Sequence, residues 1–260
     1  MLFRSVNTMD HTIIINKLGE LSYKGFKDAY MHQIEDVNYD TASFEDRLYQ
    51  LLDAQDIFLR NKRITMAFKL SKIKDKQAHI DAIDFSPRRK INKTQIYSLA
   101  ALNFIHAKQN VIITGKTGTG KSYIAQAIAN RSIIDGYRAY YVRTPSLLEE
   151  IRISRIDGTY TNLLKKYSRF QLLVLDDFGV SPMVEDDGTN LFEIIEDRTE
   201  INSTIITSQL PVSEWYNYLN NNTIADAILD RIVHSSHRVE LSGPSMRKIK
   251  SSIENEEIQQ

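Results

Sequence analysis

Eight consecutive residues, Gly115-Lys116-Thr117-Gly118-Thr119-Gly120-Lys121-Ser122, match the phosphate-loop pattern G-x-x-x-x-G-K-[ST] in full. Each residue type has a physical reason to be there. The glycines let backbone N–H groups turn inward around phosphate oxygens with no Cβ in the way, and a helix N-terminus behind them adds partial positive charge. Lys121 then reaches the β- and γ-phosphates of a nucleoside triphosphate, and the Ser122 hydroxyl is a ligand for Mg2+. With usual residue frequencies the four fixed positions coincide by chance in roughly 1% of chains this long, so the setting decides. The apolar run 111–114 stands directly before the loop, and a helical pattern with Ile124, Ile128, Ala129 and Ile133 directly after it.

About fifty residues on, Leu172-Leu173-Val174-Leu175 runs into Asp176-Asp177. A buried central strand delivers acids to its C-terminal edge in this way, at the edge where ligands bind in open α/β sheets. Asp176 is the candidate to hold Mg2+, usually through water, and Asp177 to orient or deprotonate the attacking water. A later strand ends Thr207-Ser208-Gln209, which makes Gln209 a candidate sensor of the γ-phosphate if that strand lies between the first and third. Arg231 closes the apolar-periodic helix 224–232, where its guanidinium suits a nucleotide held by the next subunit. The alternative for Arg231 is an ion pair within the chain, to Asp226 or Asp230. Other chemistries find no support: there is no G-x-S-x-G, no H-E-x-x-H, and His234 and His237 lack companion ligands at zinc spacing.

Five short runs rich in β-branched residues (111–114, 139–142, 172–175, 203–207 and 238–241) alternate with helical patterns, which predicts a parallel α/β sheet. The helix after the phosphate loop is expected to end at Gly136. Ahead of the sheet, residues 16–36 are amphipathic. From Ser43, a capping residue, Phe44, Leu48, Leu51, Leu52, Phe58 and Leu59 fit one helix face. The chain thus reads as a small helical N-terminal domain, residues 1–85, and an ATPase domain, residues 86–260, divided where Ser86-Pro87 and a basic run break the periodicity. Only 19 residues follow the fifth strand, too few for another packed domain.

With 42% hydrophobic and 25% charged residues in 260, this is the composition of an ordinary globular protein, without a membrane span or a secretory signal. The absence of cysteine agrees with a reducing, cytoplasmic setting and removes disulfides, thiolate catalysis and cysteine-bound zinc. Net charge is zero but unevenly spread. Residues 1–59 hold 5 basic and 10 acidic side chains, and residues 60–93 hold 11 and 3. That basic block is a candidate for phosphate contacts with nucleic acid, and 143–169, with six cations against three acids, is a second.

These segments together resemble the IstB-like transposition helper ATPases, relatives of the DnaC helicase loader in the AAA+ class. The resemblance runs from SFEDRLYQLLDAQ (43–55) through NVIITGKTGTGKS (110–122), LLVLDDFG (172–179), STIITSQLPVSEW (203–215) and IADAILDRIVHSSHRVEL (224–241) to SMRK (245–248). It implies an AAA+ sheet of strand order 5-1-4-3-2 and an ATP- and Mg2+-dependent homo-oligomer, joined through its ATP sites, that assembles on duplex DNA beside an insertion-sequence transposase. By position it makes Lys121 and Ser122 the phosphate and Mg2+ ligands, Asp176 and Asp177 the Walker B pair, and Gln209 the first sensor. It makes Arg231 the arginine finger and Arg247 a second sensor near the nucleotide. Many AAA+ proteins carry glutamate at the position of Asp177, which implies slow hydrolysis here, and many carry a C-terminal helical lid for which this chain has no room.

Three rival readings share the ATPase core. A helicase loader would bind a replicative helicase through its N-terminal helices and prefer single strands. A nucleotide-switched scaffold would need ATP binding alone. A small-molecule kinase ranks last, since no substrate-binding lid accompanies the phosphate loop.

Overall fold

Runs of aliphatic and β-branched residues form the five strands of one sheet in the computed structural model of the chain, which describes residues 10–184, 186–220 and 222–246. The strands are β1 (Asn110–Gly115), β2 (Ala139–Arg143), β3 (Leu172–Phe178), β4 (Ser203–Ser208) and β5 (Ser236–Leu241). They pair in parallel throughout, in the order β2-β3-β4-β1-β5. This is the implied order 5-1-4-3-2 seen from the other edge, and each expected apolar run lies inside its strand.

The helices are α1 (His11–Glu20), α2 (Lys24–Glu35), α3 (Phe44–Leu70), α4 (Lys93–Ala100), α5 (Asn103–His106) and α6 (Lys121–Ile134), followed by α7 (Thr144–Ile156), α8 (Tyr160–Ser168), α9 (Asp187–Glu196), α10 (Trp215–Leu219) and α11 (Asn222–Val233). Val111, Ile112 and Ile113 of β1, Leu172 to Leu175 of β3 and Ile205 and Ile206 of β4 are at most 1% exposed, as expected of central strands covered on both faces. Because side chains alternate along a strand, Ile112, Tyr140, Val142, Leu173, Leu175 and Ile206 join one cluster with α7 to α11. Their neighbours in sequence face α6, which packs on β1 to β4. Three alanines on α6, at 125, 127 and 129, are buried, two of them on one face and Ala127 on the opposite one. That helix stops at Ile134, and Gly136 follows in the left-handed region at φ 94°.

The chain divides into two compact units at residue 66. In the first, Ser43 caps α3 reciprocally with Asp46: the Asp46 amide donates to Ser43 Oγ at 3.1 Å, and Ser43 Oγ donates to Asp46 Oδ2 at 2.7 Å. The buried face of α3 is narrower than its apolar pattern. Leu51 and Gln55 are buried and Leu48 and Phe58 partly so, whereas Phe44, Leu52 and Leu59 are exposed. Positions 48, 51, 55 and 58 follow one strip at the helical repeat, while 52 and 59 lie just beyond one edge of it, roughly 70–90° from its centre. In the second unit, residues 71–85 pack against the sheet and α6 and bury Ile73, Ala78, Ile80 and Ile83, so this stretch lies with the sheet although it precedes the expected boundary at 85.

Candidate functional site

β1 ends at Gly115 and α6 begins at Lys121, so the phosphate-loop residues turn between a strand end and a helix N-terminus as the motif requires. Gly118 and Gly120 hold φ of 81° and 97°. A Cβ on Gly118 would also lie 2.1 Å from Ser245 Oγ, so chain reversal and close approach both demand glycine there. Lys121 Nζ donates to the carbonyls of Gly115 at 2.7 Å and Lys116 at 3.0 Å, curling back over the loop. Thr119 Oγ1 donates to Lys116 O at 2.8 Å and pins the loop from inside.

The two acids at the end of β3 have different surroundings. Asp176 is 2% exposed. Its Oδ1 accepts from Ser122 Oγ at 2.9 Å and from Thr207 Oγ1, and its Oδ2 accepts from the Tyr141 hydroxyl. Burial first, then the bond to Asp176, pushes the Tyr141 hydroxyl far up, so it stays a donor at any working pH. Asp177 has φ 59°, and the β3–β4 register shifts between Leu175 and Phe178. A bulge of this kind re-aims a side chain, at a cost of roughly 1–3 kcal/mol for a non-glycine residue. Asp177 consequently lines the cleft in front of the phosphate loop. Its amide donates to Thr207 Oγ1 at 3.3 Å, and its Oδ2 accepts from Arg143 Nε at 2.7 Å. That hydrogen bond, with the attraction of the Asp177 charge, raises the Arg143 pKa.

Gln209 follows the end of β4, which does lie between β1 and β3, and its Oε1 accepts from Thr117 Oγ1 of the loop at 2.6 Å. Its neighbour Ser208 is buried and donates to Phe178 O at 2.8 Å, a local strand-end bond. The cleft measures about 580 Å³ and is lined by Thr117, Gly118, Gly120, Lys121, Ser122, Asp177 and Gln209 among others, Ile83 and Asp84 included. Ser122 and Asp176 bring two hard oxygens within 2.9 Å, the donor chemistry that Mg2+ takes, so the residues present suit that ion.

Arg231 lies elsewhere. It pairs with Glu196, donates to Ala227 O at 3.0 Å and stacks 4.9 Å over the Phe192 ring, and it takes no part in lining this cleft. The intrachain partner is Glu196 rather than Asp226 or Asp230. Arg247 lies outside the described residues, as does most of the stretch on which a lid was expected to be missing. His234 is an exposed neighbour of Asp230, and His237 bonds Gln109 at 2.8 Å.

Sequence reasoning missed four residues of the site: Tyr141, Arg143, Thr207 and Arg89. Arg89 is 4% exposed and donates to Thr119 O and Pro244 O, both at 2.8 Å, which ties the loop to the segment after β5. Burial lowers its pKa. The available signal was weak: Tyr141 and Arg143 sit two apart at the end of an apolar run and therefore share one face of β2. The second basic segment also reads differently in three dimensions. Arg143 is held by Asp177, Arg152 by Asp187 and Glu149, Arg155 by Glu193, and Lys166 by Glu150. In the first block, Arg60, Lys62, Arg63, Lys69, Lys72, Lys74 and Lys76 form no ion pair among the described residues.

The sequence matches the IstB-like ATP binding proteins over residues 16–254. It is 35% identical over 240 residues to a protein of Sinorhizobium fredii named as an insertion sequence ATP-binding protein, covering 92% of this chain and 96% of that one. It is 34% identical over 203 residues to the insertion sequence IS1162 ATP-binding protein of Pseudomonas fluorescens, covering 78% and 87%. The crystal structure of DnaI superposes with a TM-score of 0.56 at 21% identity, over 64% of this chain and 92% of that one. The DnaC helicase loader superposes with 0.52 at 19%, over 64% and 97%. At such identities the likeness is one of fold, that of the AAA+ P-loop ATPases.

Proposed function

This chain belongs to the family of IstB-like ATP binding proteins, and on that premise we propose that it is a Mg2+-dependent ATPase that oligomerises on duplex DNA and assists an insertion-sequence transposase in selecting and remodelling target DNA. The observation that carries this reading is that Ser122, Asp177 and Gln209 line one cleft beside the phosphate loop, with the buried Asp176 bonded to Ser122 behind it. ATP binding comes with the family; hydrolysis is what Asp177 adds.

In this mechanism Lys121 leaves the carbonyls of Gly115 and Lys116 for the β- and γ-phosphates of ATP, while the loop amides and the start of α6 cradle the remaining oxygens. Ser122 and Asp176 would hold Mg2+, which neutralises charge on the phosphates. Tyr141 and Thr207 fix the Asp176 carboxylate. Asp177 Oδ1 accepts no bond among the described residues and is available to orient water toward the γ-phosphate, whose presence Gln209 senses from Thr117. The position of Arg231 outside its own cleft supports a role at the ATP of a neighbouring copy, released from Glu196 on assembly.

Duplex contact is assigned to the cations of the 60–93 block that are unpaired among the described residues, docking of the transposase or of a second copy to the unit that ends at residue 66, and ATPase action to the unit that follows it. No described helix is long and apolar enough to cross a membrane, and we place the work of the protein in the cytoplasm, with its DNA. Imaging of purified protein with duplex DNA and a non-hydrolysable ATP analogue tests the reading, with filaments or rings that need both ligands as the expected result. Tighter binding to single strands than to duplex, with the analogue present, would instead favour a helicase loader. Full function in Asp177→Asn would favour a nucleotide-switched scaffold.

A further inference from the structure

Residues 71–75 reach, through one side chain each, both residues assigned to the metal ion. β2 is an edge strand, and on its open side the Tyr141 amide donates to Ser71 O at 2.7 Å. The Tyr141 hydroxyl in turn donates to Asp176. On α6, Gln126 Oε1 accepts from the amides of Lys74 at 3.1 Å and Asp75 at 2.9 Å, and its Nε2 donates to Ser122 O at 3.1 Å. One turn on, Asn130 Nδ2 donates to Asp75 O and Ala78 O, both at 2.9 Å. Gln126 and Asn130 are buried, so these bonds exchange poorly with water.

The same short segment and the residue that follows it carry exposed charge. Lys72, Lys74 and Lys76 are exposed and form no ion pair among the described residues, while Ser71 and Ile73 between and beside them are 0% and 3% exposed. Alternation of this kind anchors one side of the segment in the protein and leaves three cations to solvent.

We propose that residues 71–75 couple phosphate-backbone contact to the nucleotide site, with Gln126 and Tyr141 as positioning residues for Ser122 and Asp176. The inference rests on the duplex-binding reading above and adds the route. A duplex that engages Lys72, Lys74 and Lys76 holds the segment in place, and the held segment keeps both metal ligands in register. By reciprocity, nucleotide with Mg2+ must tighten duplex binding by the same factor as duplex tightens nucleotide binding.

The test is a set of equilibrium titrations of a labelled mixed-sequence duplex, with and without a non-hydrolysable ATP analogue plus Mg2+. Wild type is expected to bind about tenfold tighter with the analogue, inside the roughly 5–150-fold range of such couplings. In the Gln126→Met/Tyr141→Phe protein the ratio should fall below about twofold. A ratio is read, so a variant that binds each ligand more weakly still reports. Lys72→Ala/Lys74→Ala/Lys76→Ala changes exposed positions only and covers the case in which the buried variant fails to fold: here duplex should no longer tighten binding of the analogue. Coupling that survives in either variant, or a wild-type ratio near one, overturns the inference while leaving duplex binding intact. A wild type that binds no duplex under any condition removes the duplex-binding reading itself.

Discussion

Thr207→Val isolates one hydroxyl that serves both acids of the site. Thr207 is fully buried in β4, and its Oγ1 donates to Asp176 while accepting from the Asp177 amide at 3.3 Å. Valine keeps the shape and the strand preference, so the backbone is left as it is. Two things are lost. A hydrogen bond to a charged acceptor is worth about 1.5–3 kcal/mol, and a buried amide left without an acceptor costs about 1–3 kcal/mol. Both belong at the low ends of those ranges, because Asp176 keeps Ser122 and Tyr141 as donors and the amide bond is long. The expected loss is therefore about 2–3 kcal/mol, read in urea as a lower midpoint at unchanged slope. Thr207→Ser keeps the hydroxyl and drops a methyl, a loss of about 0.5–1.5 kcal/mol. Stability should fall from wild type through Ser to Val. ATP turnover should hold in the Ser variant and drop about tenfold or more in the Val variant, an increase in barrier of about 1.4 kcal/mol. A Val variant that unfolds at the midpoint of the Ser variant and turns over ATP at the wild-type rate would refute the view that this hydroxyl holds the pair.

Three further outcomes are expected. Lys121→Ala removes a cation that would make charge-assisted contacts worth about 1.5–3 kcal/mol each to two phosphates, so calorimetry should show ATP affinity reduced about a hundredfold or more; undiminished heat of binding would contradict the phosphate-loop assignment. Arg231→Ala should leave ATP binding near wild type and lower turnover of the assembled protein about a thousandfold, as measured by phosphate release; unchanged turnover would end its assignment as a finger. Arg152→Ala strips the bidentate partner, at 3.1 and 3.0 Å, from the buried carboxylate of Asp187. Because the Arg152 side chain is 39% exposed and water can enter, the cost should be about 2 kcal/mol, below that of a fully buried pair. It should appear as a lower melting temperature with duplex affinity preserved, and the reverse pattern would return 143–169 to the DNA-contacting surface.

The local order of the chain was legible without coordinates because it rests on short-range rules. Alternating apolar runs and helical periods predicted five strands in a parallel sheet, and all five lie where expected. The spacing of glycines, Lys121 and Ser122, and of Asp176 and Asp177 behind an apolar strand, identified the two ends of the site. The relation between those ends came only with folding. Tyr141 meets Asp176 across 35 residues of chain and Thr207 meets it across 31, because parallel registry sets the ends of β2, β3 and β4 side by side. Nothing local marks a tyrosine in β2 or a threonine in β4 as a partner of a carboxylate on the strand between them. Charge density suffered the same limit: 60–93 and 143–169 look alike as strings. In the folded chain the second has most of its cations bound to acids from α7, α9 and β3, whereas seven cations of the first form no ion pair among the described residues. Sequence periodicity decides which face of an element is buried; which other element covers that face, and so whether a charge or hydroxyl there finds a partner, is set by the packing of the whole sheet.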